Sequence, residues 1–394
     1  MITTFNIMHE IVAFKDNIYP EIEMEVFKLK RDKHLIALAL SIGFLLAVSV
    51  INASSEETEF PLNITDSAGR VVSLPEPVQG IIVLNTDAAE AVSALGASDL
   101  IVGLAEGIKE DYAFQRLKER PSIGTWSDID FEKIGEIGSK GNGTGIIVLG
   151  FVYPGKPNGV ESVSENLEPF SGIVALGLDF YKEENLSREL RLLGSILGRE
   201  DRAEELIDWH DRHVAEVEQA AKDLDRPRVF IEGSSRGLGD ITTFGGSSAS
   251  GMLLEKAGGS NVMEEEEAYP KVEWEWVVSQ DPEVIIKTDY LKSSDGLPGW
   301  SLTSSDDVKA LEEMRNDILS RPGAQNISAV KNDRVYVVSA QTLFGLDNVA
   351  GLQHLAEILH PGITLEPEEA YGEYLDFMGL EEQKNRTFVY PAID

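Results

Sequence analysis

The sequence has 394 residues, which is longer than one average domain and suits two lobes of ordinary size. Its formal net charge of -34 would repel nucleic acid and anionic lipid. It contains no cysteine, which excludes disulfides, thiolate catalysis, Fe–S clusters, zinc–thiolate sites and a lipid anchor on cysteine.

The start of the chain has the pattern of an export segment. Lys28, Lys30, Arg31 and Lys33 precede an uncharged apolar run over 35–51, and small residues follow at 52–54. A basic region, an apolar region and a small-residue exit are typical of a secretory signal. We therefore predict a stub with a basic region over 1–34 and a cleaved signal or uncleaved membrane anchor over 35–54.

The next part of the chain alternates strand and helix patterns. The apolar run Gly80–Leu84 predicts a strand buried on both faces, the Ala-rich stretch 87–97 a helix, and Leu100–Leu104 a further strand. Additional strands are predicted at 145–149 and 172–176. The alternation indicates a parallel sheet covered by helices, which we assign to an N-terminal lobe over 55–182.

The pattern becomes purely helical over 183–225. Two helices are predicted, at 186–197 and 201–224, and the second has a one-sided apolar stripe that includes Trp209 and Val217. At about 1.5 Å per residue the second helix is roughly 36 Å long, enough to connect two lobes.

Strand patterns restart at residue 226 and continue to residue 394. Strands are predicted at 228–232, 283–287 and 334–338, with helices between and after them. The outline is therefore a β/α lobe, a long helical segment and a second β/α lobe, which is an α/β fold.

Several short segments, in this order and spacing, resemble one known family. They lie at 65–75, 81–84, 94–104, 123–126, 131–134, 253–262, 275–286, 330–336 and 355–361. Together they are similar to the helix-linked (class III) periplasmic substrate-binding proteins of ABC importers, which serve cobalamin, haem and ferric siderophores. The resemblance extends from about residue 61 to residue 378.

This resemblance implies two β/α lobes with parallel-type central sheets, joined by a long helix, with a ligand cleft between the lobes. It implies an exported monomer without enzymatic activity or a cofactor of its own. The expected ligand is a metal chelate, an iron–siderophore or a corrinoid such as cobalamin, with haem ranked below these. The expected partners are the permease and ATPase subunits of the transporter. Nucleic acid is not expected to bind, and membrane contact is expected only through the N-terminal segment or the permease.

The family also implies a carboxylate near the tip of each lobe, which docks on arginines of the permease. The matching positions are Glu132 and Glu275, with Glu273 a close rival of Glu275. Arg–carboxylate pairs are directional, so such contacts set encounter and register more than affinity.

In this family ligands contact the C-terminal ends of strands that face the cleft. Aromatic faces suit a bulky macrocycle, and a guanidinium suits the anionic groups that a chelate carries. Trp126 is placed best by its motif. The full candidate set is Thr86, Trp126, Phe151 and Tyr153 in the first lobe and Arg236, Phe244, Asp289, Tyr290 and Phe344 in the second.

A bare-metal binder is the nearest alternative, and it would need His, Asp or Glu ligands that converge from both lobes. His210 and His213 share a helix face, but on the linking helix, away from the expected cleft; a charged, solvated face is the simpler interpretation. His354 and His360 are expected on a helix of the last lobe, in packing roles.

A hydrolase and a surface scaffold on the same fold are alternatives of a different class. The Gly-rich stretch 233–239 lacks the lysine of a P-loop, and no serine in 245–251 has glycine at both flanking positions of a nucleophile elbow. We expect the second stretch to be a loop whose Ser248 or Ser250 caps the following helix. A scaffold would need neither cleft aromatics nor tip carboxylates.

Overall fold

The computed structural model describes residues 60–110, 112–125, 127–140, 145–235, 237–264, 267–288, 307–381 and 386–393. The predicted export segment therefore lies outside the described residues. The same is true of four predicted site residues, Trp126, Arg236, Asp289 and Tyr290.

The first lobe is a four-stranded parallel sheet preceded by a hairpin. The hairpin strands β1 (Leu62–Thr65) and β2 (Val71–Leu74) pair antiparallel. The sheet strands are β3 (Gly80–Val83), β4 (Ile101–Leu104), β5 (Ile146–Gly150) and β6 (Ile173–Gly177), in the spatial order β4-β3-β5-β6. Ile81, Ile82 and Val83 are fully buried, as expected for a strand covered on both faces.

The α-helices of this lobe lie between the strands along the chain. They are α1 (Thr86–Ala94), α2 (Phe131–Lys140) and α3 (Val160–Leu167). The Asn85 side chain caps α1 by accepting a hydrogen bond from the backbone N–H of Ala88 at 2.9 Å. The cap makes the turn from β3 into α1 tight, so the first residues of α1 lie at the end of the sheet.

Two helices, α4 (Glu183–Leu197) and α5 (Glu200–Ala221), form the connecting segment. Gly198 ends α4 in the left-handed conformation, which glycine adopts without steric cost. With 22 residues α5 is roughly 33 Å long, which confirms the predicted long linking helix.

The interpretation of His210 and His213 as part of a solvated face is wrong. Both imidazoles are buried. The buried side of α5 therefore includes these two histidines as well as the apolar residues of the helix. His213 Nε2 lies 2.7 Å from Glu373 Oε2, and the Trp209 indole N–H donates to the same oxygen at 3.1 Å. His213 thus becomes an interior residue by pairing with Glu373, whereas His210 Nδ1 lies 3.4 Å from Asp211 Oδ1.

The second lobe has a seven-stranded mixed sheet. Its strands are β7 (Arg228–Ser235), β8 (Ile241–Thr243), β9 (Ser260–Asn261), β10 (Lys271–Val272), β11 (Val284–Lys287), β12 (Val335–Val338) and β13 (Val389–Tyr390). The order is β10-β8-β7-β11-β12-β13, with β9 paired to β7. The predicted strands β7, β11 and β12 form its parallel centre, while β8, β10 and β13 add antiparallel edges.

The helices of the second lobe lie between and after its strands, as predicted. They are α6 (Ala249–Lys256), α7 (Trp274–Gln280), α8 (Val308–Ser320), α9 (Ser328–Lys331), α10 (Asn348–Leu359) and α11 (Pro367–Met378). Ser248 is the N-cap of α6 and accepts a hydrogen bond from Gly251 N–H at 3.0 Å, so the capping prediction is confirmed.

The two lobes also meet through a buried carboxylate. Glu90 on α1 accepts a hydrogen bond from the backbone N–H of Leu346 at 2.8 Å and one from the Tyr374 hydroxyl at 3.0 Å. Arg202 of α5 donates to the carbonyls of Ala94 and Phe377, one on each side of the same junction. Helix α11 therefore packs against the first lobe as well as the second.

Within the described residues no helix is long and apolar enough to span a membrane. The exact lobe boundaries at 54/55, 182/183 and 225/226 stay predictions.

Candidate cleft between the lobes

A cavity of about 720 Å³ lies between the lobes, at the C-terminal ends of the strands. The first lobe contributes the turns after β3, β4, β5 and β6, and the second contributes the segment after β12 together with α11. Ligands of open α/β sheets bind in crevices at this end of the strands, because the loops there diverge to either side. The position and size are those of a small-molecule site.

Three aromatic side chains form one wall of the cavity. The rings of Phe151 and Tyr153 stack with centroids 4.6 Å apart, and Tyr181 meets Phe151 edge-on at 5.6 Å. Tyr153 has a backbone φ of 33°, a left-handed conformation that is rare for an aromatic residue. Strain of this kind is concentrated at functional sites, where the surrounding structure holds it in place.

Tyrosines from both lobes bring hydroxyl groups to the cavity. Burial, reinforced by neighbouring tyrosines and carboxylates, raises the pKa values of Tyr153 and Tyr181, and burial with Asp87 raises the pKa of Tyr269. These phenols therefore stay protonated and can donate or accept hydrogen bonds. Tyr371 and Tyr374 of α11 complete the set from the second lobe.

The first lobe also places a buried acidic group at the cavity. Asp87, in the first turn of α1, lines the cavity, and burial followed by repulsion from Asp179 raises its pKa to about 7. Asp179 accepts a hydrogen bond from the backbone N–H of Val152 at 2.9 Å and one from the Lys182 ammonium group at 2.7 Å. Glu189, behind it, accepts hydrogen bonds from Ser67 and from the Asp179 N–H, and burial raises its pKa.

Asn85 also lines the cavity, and its side-chain amide carries a hydrogen-bond donor, unlike the carboxylate of Asp87. Its Oδ1 is used by the cap of α1, whereas its buried Nδ2 has no hydrogen-bond partner among the described residues. Since a buried donor without a partner is costly, a ligand acceptor or a water molecule is expected there.

The structure brings together four of the predicted ligand residues. Thr86, Phe151, Tyr153 and Phe344 all line the cavity, and their contact with ligand stays a prediction. Phe244 does not line it; the ring is buried in the core and meets Tyr269 edge-on at 5.9 Å, so Tyr269 lies where Phe244 was expected. Thr125 and Ser127, on either side of Trp126 in the sequence, line the cavity.

Sequence reasoning missed the residues that reach the cavity from outside the predicted strand ends. Tyr371 and Tyr374 come from a helix for which no site residue was predicted, Arg386 from the chain beyond it, and Tyr269 from an irregular segment. Asp87 could have been predicted from the sequence, since it follows the end of β3 by a few residues. An acidic residue at the start of an Ala-rich helix was the feature that could have identified it.

The two predicted docking carboxylates occupy equivalent positions. Glu132 is exposed in the first turn of α2, and Glu275 is exposed in the first turn of α7. Glu273, the rival of Glu275, is also exposed and is the residue that precedes α7. Both helix starts therefore present a carboxylate to solvent, one on each lobe.

The residues that the structure describes contain no group of three or more His, Asp or Glu side chains that could hold a metal ion. His354 lies on α10 against Phe388, and burial lowers its pKa to about 4. His360 is buried beside the carbonyl of Ala257. Both positions are consistent with the predicted packing roles.

Comparisons with known proteins agree with this architecture. Residues 161–342 match the family model described as periplasmic binding protein. An ABC transporter substrate-binding lipoprotein of Bacillus subtilis is 24% identical over 78% of this chain and 88% of its own length. A cobalamin-binding protein of Halobacterium salinarum is 25% identical over 58% of each chain. The crystal structure of an ABC-type Fe³⁺-hydroxamate transport system from Saccharomonospora viridis superposes with a TM-score of 0.53 and 25% identity, over 76% of this chain and 99% of the other.

The two-lobed fold, the helix between the lobes and the cleft are accompanied by these similarities. The chain is similar to periplasmic substrate-binding proteins of ABC transporters, and residues 161–342 match the model of that family.

Proposed function

We propose that this protein captures a metal chelate outside the cytoplasmic membrane and delivers it to the permease of an ABC importer. The observation that carries the proposal is the cavity of about 720 Å³ between the lobes, walled by Phe151, Tyr153 and Tyr181. Flat aromatic faces bind large, partly apolar ligands with little loss of side-chain entropy. A bare ion would instead need converging charged ligands.

The names of the relatives support a chelate of the corrinoid or siderophore type. One relative is a cobalamin-binding protein, and one solved neighbour belongs to a ferric hydroxamate transport system. Haem is less well supported by the site. A protein-bound haem takes a histidine or a tyrosine as axial ligand, and the described residues that line the cavity include no histidine.

The proposal includes export and a place at the membrane. The basic and apolar pattern over 28–54 supports a signal or an anchor at the N-terminus. The relative from Bacillus subtilis is named as a lipoprotein. Because this sequence has no cysteine, a tether to the membrane would be the apolar segment itself, and a cleaved segment would leave the protein soluble.

Docking on the permease is assigned to Glu132 and Glu275. Their exposure on separate lobes and their matching places in first turns support this role, because two carboxylates some distance apart fix orientation better than one. We propose that a monomer binds one permease with its ATPase subunits, and that it acts by binding without turnover of the ligand.

The first test is calorimetric titration of the purified protein with cyanocobalamin, a ferric hydroxamate siderophore and haem. We expect saturable binding of one corrinoid or siderophore with a micromolar or lower Kd. Tyr153→Ala and Trp126→Ala should each weaken it about tenfold or more, the effect of losing roughly 1.4 kcal/mol of aromatic contact.

The matched control is Tyr336→Ala. Tyr336 is half-buried on β12, as Tyr153 is beside β5, but it does not line the cavity. Its replacement should leave the Kd unchanged. Absence of saturable binding to all three ligands would refute the chelate proposal.

A further inference from the structure

The charges at the cleft are unequally distributed. Among the described residues that line the cavity, four carry a carboxylate and one a guanidinium: Asp87, Glu90, Glu106, Asp347 and Arg386. Glu106 is exposed at the rim, whereas Asp87 and Glu90 are buried. The described cationic group, Arg386, donates to the Gln341 side chain at 3.0 Å, on the wall of the second lobe.

More negative charge lies immediately behind the wall of the first lobe. Asp179 and Glu189 are almost completely buried, and both act on Asp87 by Coulomb repulsion. The described cations nearest to these groups are partly solvated: Lys182 pairs with Asp179, and Arg188 lies 3.9 Å from Glu189 with about half of its side chain exposed. Solvated cations screen a buried carboxylate only weakly on its opposite side.

Where these carboxyls are ionised, a ligand with several negative charges would therefore enter an unfavourable potential. In a cavity of low dielectric the repulsion between like charges is several times stronger than in water. The same wall is favourable to positive charge and to hydrogen-bond donors, since carboxylates accept strong, charge-assisted hydrogen bonds. The tyrosine hydroxyls beside Asp87 can accept donors as well.

We propose that the cleft selects neutral or cationic metal chelates that present N–H donors, such as the peripheral carboxamides of a corrinoid or a ferric trihydroxamate with an ammonium group, and rejects polyanionic chelates. This inference rests on the proposed function and narrows its substrate class. Asp87 and Glu106 are the carboxylates that face the ligand in the cavity and at the rim.

The test compares three probes of different charge on the same protein. They are cyanocobalamin (neutral), ferrioxamine B (cationic) and a ferric tris-catecholate siderophore (trianionic), each titrated at low and at high NaCl concentration. We expect the neutral or the cationic chelate to bind at least roughly tenfold more tightly than the trianion at low salt. If the cation binds, its affinity should fall as salt rises.

Two variants connect that preference to named carboxylates. Asp87→Asn and Glu106→Gln should each narrow the difference between the trianion and the favoured chelate by about threefold or more. Glu106 is exposed, so its replacement keeps the test valid if the buried Asp87→Asn variant folds poorly. Glu161→Gln is the control, since Glu161 is an exposed carboxylate on α3 outside the cavity, and it should leave the preference unchanged.

The outcomes separate this inference from the proposed function. Tightest binding of the trianion, or equal binding of all three probes, overturns the charge selection and leaves chelate capture intact. Absence of saturable binding to any of the probes overturns chelate capture and the inference with it. A preference that persists unchanged in both cleft variants also overturns it, because the named carboxylates would then not cause the preference.

Discussion

Asp87 couples the cleft to the stability of the folded protein. Its pKa of about 7 lies well above the ordinary 3.8, chiefly because of burial. A carboxyl with a raised folded-state pKa contributes stability that is fully present below pH 3.8 and is lost as the pH rises through 7. At about 1.4 kcal/mol per pH unit, the loss reaches roughly 4 kcal/mol.

Replacing Asp87 by asparagine should remove this loss. We expect the free energy of unfolding of Asp87→Asn, relative to that of the wild type, to rise by roughly 2–3 kcal/mol between pH 5 and pH 8. Urea denaturation at intervals of one pH unit measures this difference. Asp201→Asn, at an exposed position in the first turn of α5, is the control for replacing aspartate by asparagine where the side chain is not buried. A constant difference for Asp87→Asn would contradict the burial of an acidic group at this wall.

At the scale of elements, the junction of α1 with the second lobe depends on one glycine. Gly345 has a φ of +74°, and a Cβ there would lie 2.2 Å from Glu90 Oε2, the atom that accepts the Leu346 N–H. Alanine must therefore displace the carboxylate that joins the lobes. We expect Gly345→Ala to lower the free energy of unfolding by roughly 2–4 kcal/mol, about 1 for the backbone and the rest for the hydrogen bonds.

Gly69→Ala separates these two contributions. Gly69 has nearly the same φ, +76°, and a Cβ there would meet nothing within 4 Å. The free energy of unfolding of Gly69→Ala should therefore fall only by the backbone contribution of about 1 kcal/mol. Equal losses in the two variants, measured by the same urea denaturation, would show that the Glu90 contact contributes nothing to the junction.

An element can be predicted from the sequence when its own residues carry the pattern that forms it. Apolar runs such as Gly80–Leu84 and the periodic stretch of α5 carry it locally, and the corresponding strands and helix are confirmed. The two- and three-residue strands β8, β10 and β13 have no such run, since each exists only because a neighbouring strand offers hydrogen bonds. Burial of His213 likewise depends on Glu373, 160 residues away.

The residues of the candidate site can be divided in the same way, into those placed by local sequence and those placed by packing between distant elements. Thr86, Phe151 and Tyr153 were predicted because they follow strands, and the ends of parallel strands meet at one edge of a sheet. Tyr371 and Tyr374 could not be predicted in this way, because helix α11 reaches the cavity through its packing on the first lobe. Packing between distant helices leaves no periodic signal in either of them.

At the scale of the whole molecule, delivery of ligand should be separable from its capture. We expect Glu132→Ala with Glu275→Ala to reduce transporter-dependent uptake by at least about tenfold while the Kd for ligand stays unchanged. Uptake by cells that carry the matching permease and titration of the purified double variant measure the two quantities.

The control is a second pair of exposed carboxylates in first turns, one on each lobe: Glu161 on α3 and Glu368 on α11. It matches the docking pair in charge, exposure and helix position. If Glu161→Ala with Glu368→Ala impairs uptake equally, total surface charge rather than two specific contacts governs docking.

The contribution of the last residues to the cleft has a consequence for the order of events during export. Tyr371, Tyr374 and Arg386 line the cavity, and β13 completes the sheet only at Val389–Tyr390. A polypeptide that crosses a membrane with its N-terminus first must translocate nearly its whole length before these groups can reach their places. Under the proposed export of an unfolded chain, the binding site would therefore be assembled late, on the far side of the membrane, and a chain in transit would carry no cytoplasmic ligand outward.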